Sequence, residues 1–73
     1  MTNVYIEPQP TGRPNGTPIT HYTIEYAHGV RVDETNYSTQ ESAIKAANAL
    51  GFDPLIARVR NTDKGNRDHW RAA

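Results

Sequence analysis

Six side chains late in the sequence come closest to a chemical pattern: Arg58, Arg60, Arg67, His69, Trp70 and Arg71. Arginines at alternate positions of a strand, followed by a basic segment with one large aromatic, suit a polyanion. The guanidinium groups would hold phosphates and the indole would stack on a base. A plainer reading competes with this one. Arg58 and Arg60 can pair with Glu25, Asp33 or Glu34 across an outer sheet face, and Trp70 can pin the last segment to the edge of the core. The formal net charge is zero. A nucleic-acid domain is ordinarily net basic, so the charge balance favours the plainer reading. These six residues are the candidate contact set, for a protein partner or for nucleic acid.

Other chemistry finds little to work with. His69 follows Asp68, but catalytic groups converge from separate elements, and neighbours in sequence seldom form a dyad. There is no Cys. Ser38 and Ser42 are accounted for by helix capping and helix surface, so no nucleophile, base and orienting group can be assembled. His21 and His28 fall on a strand and in a turn. No metal-ligand spacing occurs. Gly12 and Gly16 sit among prolines with no strand-to-helix junction, unlike a phosphate loop. The expectation is therefore a non-enzymatic protein with no catalytic residue, no cofactor and no metal.

The charge is unevenly placed. Residues 1–54 hold three cationic and six anionic side chains, a balance of −3, while residues 55–73 hold five and two, a balance of +3. Such a split suits a polyanion footprint, pairing within the chain, or pairing with a second copy. With 73 residues the chain makes one small domain, residues 1–73. A core of this size rarely supplies more than about 3–5 kcal/mol without a staple. Disulfides are excluded, so self-association as a homodimer is the remaining common device. No apolar run reaches the length of a signal sequence or a membrane span, and cytoplasmic residence without membrane contact is the expectation.

The elements that position these residues follow from periodicity. Residues 3–7 form a strand with Val4 and Ile6 on one face and Tyr5 on the other. Residues 8–18 carry four of the five prolines and read as a loop, with a turn at Asn15 and Gly16. Residues 21–27 alternate: Tyr22, Ile24 and Tyr26 face one way, His21, Thr23 and Glu25 the other. Val30 and Val32 follow on a third strand, residues 30–34. A two-residue turn would place these valines opposite the tyrosine face. A three-residue loop of Ala27, His28 and Gly29 pairs Tyr26 with Val30 and Ile24 with Val32, giving one apolar face, with Gly29 as the left-handed residue.

Residues 39–50 read as an amphipathic helix. Ser38 and Glu41 form a capping box. Ala43, Ile44, Ala46, Ala47 and Leu50 make the apolar stripe, Glu41 and Lys45 an i, i+4 pair, and Gly51 the C′ residue ahead of Pro54. Phe52 closes one end of the core. On the last strand, residues 55–60, Leu55, Ala57 and Val59 point inward and Ile56, Arg58 and Arg60 outward. That strand lies beside the first, at an edge. Residues 62–73 are polar, with Trp70 as their anchor.

The hairpin, the helix opening Thr39, Gln40, Ala43 and Ile44 (T-Q-x-x-A-I), and a polar segment with Gly65 and Asp68 resemble short uncharacterised bacterial α+β proteins of the domain-of-unknown-function type. The likeness spans residues 20–70. It implies a small domain of bacterial origin and supplies no catalytic residues.

The reading is an α+β fold, a four-stranded mainly antiparallel sheet with one helix on one face, in the order β-β-β-α-β. The expected role is a binding or accessory module working through protein contacts, with itself or another protein. Nucleic-acid binding through the basic last strand and final segment is the alternative.

Overall fold

A computed structural model describes residues 2–10, 16–58, 62 and 64–73. Four strands and one helix appear in the order β1 (Asn3–Gln9), β2 (His21–Glu25), α1 (Gln40–Ala49), β3 (Asp53–Ala57) and β4 (Trp70–Ala72). A single 3₁₀ turn, Arg67–His69, precedes β4. The sheet order is β2-β1-β3-β4. β1 runs antiparallel to β2 and parallel to β3, and β3 runs antiparallel to β4. The class is therefore the expected one, but two of its strands are not.

The expected third strand, residues 30–34, shrinks to one isolated bridge, Arg31 with Glu25. The three-residue loop itself is as expected: Tyr26 N–H donates to Val30 O at 2.8 Å, Val32 N–H to Ile24 O at 2.8 Å, and Gly29 has φ 89°. Past Val32 the ladder breaks. The next bridge joins Tyr22 to Tyr37, so Thr23 alone spans four residues of the other segment. Local side-chain bonds explain the break. Asp33 Oδ1 accepts from Thr35 N–H at 3.1 Å, Asp33 Oδ2 from the Tyr37 hydroxyl at 2.7 Å, and Arg31 donates to Thr35 O and Asn36 Oδ1. Such bonds compete with ladder formation. The fourth strand comes instead from the segment expected to be without structure, and it moves β3 from the edge to the interior of the sheet.

β1 extends into the expected proline loop. Pro8 pairs with Tyr22 and Gln9 with His21, while the pairing with β3 ends at Ile6 and Ile56. A proline is tolerated there because β1 is flanked on one side only. Asn15 lies outside the described residues.

Helix α1 begins one residue later than the capping box implies. Thr39 is the N-cap, its Oγ1 accepting from Ser42 N–H at 3.1 Å. The C-terminal end is a Schellman motif: Gly51 has φ 84°, its N–H donates to Asn48 O, and Phe52 N–H donates to Ala47 O. Ala43 and Ala47 are fully buried on Val4, Ile6, Ile24 and Ile56. Their short side chains let the helix axis approach the sheet. Ile44, Ala46, Tyr22, Tyr26, Val32, Tyr37 and Phe52 surround this core. Leu50 and Val30 are corrections, 54% and 58% exposed. Leu50 is the helix C-cap, where the chain turns off the apolar stripe.

The facing of the last strand is also corrected. Pro54 and Ile56 pair with Val4 and Ile6 and lie on the helix side, while Leu55 pairs with Tyr5 on the other. Leu55 and Ala57 are half-buried. An interior strand covered on both faces loses the alternation that marks a half-solvated one. Val59 lies outside the described residues.

Candidate functional site

The face of the sheet away from the helix carries Tyr5, Glu7 and Gln9 of β1, with Thr23 and Glu25 of β2. These side chains alternate with the core residues, so the strand period alone puts both carboxylates on this face. It is not solvated: Glu7 is 3% exposed, and Thr23 and Glu25 are buried. Thr62, Lys64 and Trp70 cover it.

Lys64 is the residue that makes burial of the two glutamates tolerable. Its Nζ lies 2.8 Å from Glu7 Oε2 and 2.9 Å from Glu25 Oε1. The remaining oxygen of each carboxylate is occupied by neutral donors. Thr62 Oγ1 donates to Glu7 Oε1 at 2.5 Å. Thr23 Oγ1 and Gln9 Nε2 donate to Glu25 Oε2 at 2.7 and 3.2 Å. Above the ammonium, Tyr5 and Trp70 meet edge to face with centroids 4.7 Å apart. Lys64 Nζ is 5.8 Å from the Tyr5 ring centroid and 6.0 Å from that of Trp70, at the outer limit of a cation–π contact. Burial by itself lowers the pKa of Lys64. The hydrogen bonds and charges of Glu7 and Glu25 outweigh that, and the group titrates above the ordinary lysine value.

Of this cluster only Trp70 is among the expected site residues. Glu25 lies on the outer face as expected, but not with its expected partners Arg58 and Arg60. Its cation is Lys64, and Asp33 is engaged by Tyr37 and Thr35 instead. The available signal was the parity of Glu7, Thr23 and Glu25, three polar residues on one face that need a partner if anything covers it.

The six expected contact residues are only partly brought together. Trp70 is 6% exposed and packed on Tyr5, so its ring is not presented to a base. Arg71 pairs with Ile56, on the helix side of the sheet, while Trp70 pairs with Ala57 on the opposite side. Arg58, Arg67 and Arg71 are exposed and His69 is half-buried. Arg58 N–H donates to His69 O at 2.7 Å, which joins the backbones of β3 and the 3₁₀ turn. Arg60 lies outside the described residues.

A second feature lies at the hairpin end. Tyr26 meets Phe52 edge to face at 5.9 Å and stacks on His28 at 5.4 Å. Val30 is hydrogen-bonded opposite Tyr26, and Leu50 stands two residues before Phe52.

The described residues enclose no pocket, hold no group of three metal-ligating side chains, and include no helix long and apolar enough to cross a membrane. Comparison with family models, with curated proteins and with solved structures returns no match for this chain.

Proposed function

We propose that this chain is a small non-enzymatic binding or accessory module acting through protein contacts, and that self-association is its simplest form. The observation that carries the reading is the exposure of the large aliphatic side chains Val30 and Leu50, together with Ile19, Val30 being bonded opposite Tyr26 and Leu50 standing two residues before Phe52. A chain with so few buried apolar residues gains little by leaving three more in water, and apolar surface left exposed is available to a partner. A thin core adds to the pressure to associate. The charge balance of zero, −3 in one part and +3 in the other, sets up no net repulsion between copies.

Sedimentation over a range of concentrations tests this. The mass of the wild-type chain is expected to rise with concentration, and Val30→Lys with Leu50→Lys is expected to hold it at one chain without loss of helix signal, since both positions are exposed. A single-chain mass at every concentration overturns self-association. Nucleic-acid binding has less support, with Trp70 committed to Tyr5. Oligonucleotide binding that weakens steeply with salt and falls in Arg58→Ala with Arg67→Ala would favour that reading instead.

A further inference from the structure

We propose that Glu7, Glu25, Tyr5 and Trp70 form an alkylammonium-binding site that Lys64 fills in cis. Two carboxylates and two aromatic rings around one Nζ are the groups that recognise a primary ammonium: charge-assisted hydrogen bonds from the N–H donors, and ring faces or edges toward the alkyl stem. Each carboxylate has a further partner besides the lysine, and those of Glu25 stand on the strands themselves. Thr62 fixes Glu7 through Oε1, and Thr23 and Gln9 fix Glu25 through Oε2. The oxygens aimed at the ammonium are the other two, Glu7 Oε2 and Glu25 Oε1. Tyr5 and Trp70 are likewise set by each other and by β1 and β4. The two carboxylates and both rings thus stand on strands of the sheet, whereas the occupant, with Thr62 beside it, arrives on the segment between β3 and β4.

The site is closed to outside amines in the intact protein. A tethered ligand competes at an effective concentration on the order of millimolar or more, and Lys64 makes both carboxylate contacts at once. Removing the side chain beyond Cβ leaves a slot whose length matches a short primary amine.

The test is chemical rescue. Lys64→Ala is titrated with n-butylammonium chloride, with sodium chloride at the same ionic strength as reference, and Tm is read by circular dichroism. A saturating rise in Tm of a few degrees is expected from butylammonium alone, as a ligand that binds only the folded state requires. The wild type should show no such rise, and neither should Lys64→Met, whose side chain fills the stem volume. Adding Glu7→Gln to Lys64→Ala should abolish the response. If Lys64→Ala is unfolded without ligand, butylammonium should restore the helix signal, and failure to do so counts against the site as fully as a missing Tm shift. Equal effects of sodium and butylammonium, or equal rescue of Lys64→Met, overturn the proposal.

Discussion

The two faces of one sheet are buried by opposite means. Toward the helix, Val4, Ile6, Ile24 and Ile56 meet Ala43 and Ala47, and the stabilisation is non-directional, proportional to apolar area. Toward the covering segment, Glu7, Thr23 and Glu25 are buried with Gln9, Thr62 and Lys64 as partners. There the stabilisation is directional and conditional. The apolar face tolerates changes that conserve volume, but an ionic cluster becomes a liability once a member is missing. In one small sheet, the helix face supplies cohesion and the opposite face fixes which segment covers it.

The largest expected effect is on the helix side. Ala47→Asp places an unpaired charge at a fully buried position and should cost several kcal/mol, on the order of the whole stability of a chain this size. Loss of helical circular dichroism at room temperature checks it. An unchanged signal would mean that Ala47 does not face the sheet.

Next comes the ionic side. Lys64→Met should cost about 2–4 kcal/mol in urea denaturation, below the usual figure for a fully buried pair because a fifth of the Lys64 side chain is exposed. Combining Lys64→Met with Glu7→Leu and Glu25→Leu should cost less than the sum of the single changes, since no buried charge is then left alone. Additive losses would place the two glutamates in a solvated setting and erase the contrast between the faces. The same pair of proteins gives a pH dependence with a fixed sign. The folded-state pKa of Lys64 is raised, so its contribution is complete below the ordinary value of 10.5 and disappears as pH climbs through the higher folded value. The stability gap between wild type and Lys64→Met should therefore narrow above pH 10.5. Tyr37, whose phenol is raised by its hydrogen bond to Asp33, titrates with the same sign in both proteins and cancels in the difference.

The smallest effect concerns the end of the helix. Thr39→Ala should lose about 1 kcal/mol, as a true N-cap does, whereas Ser38→Ala should change stability by under about 0.5 kcal/mol. The reverse order would restore the capping box at Ser38.

The helix face was legible because it is written in local periods. Ala43 and Ala47 announce a stripe, Val4 and Ile6 a strand face, and parity around Gly29 sets the hairpin register. The polar face was not legible for a different reason. Lys64 meets Glu7 across 57 positions, and nothing in its own neighbourhood distinguishes it from a solvated turn residue. Ile56 was misplaced because both sides of β3 are covered, which removes the contrast between wet and dry sides that alternation encodes. Arg58, Arg67 and Arg71 looked like a set because they are close in sequence, yet the register of β4 divides Arg71 from Trp70.

β1 holds the middle of the sheet, but β3 is separated from it by fifty positions, as the pairing of Asn3 with Asp53 records. During synthesis β1 and β2 can pair early, while the flank that β3 will occupy stays bare until residues 53–57 have been made. Closing so long a loop is entropically costly and slows the final step. Until it happens, Val4 and Ile6 lie beside an unpaired strand margin open to neighbouring chains. A newly made chain is therefore most prone to clumping between the closing of β1 on β2 and the arrival of β3.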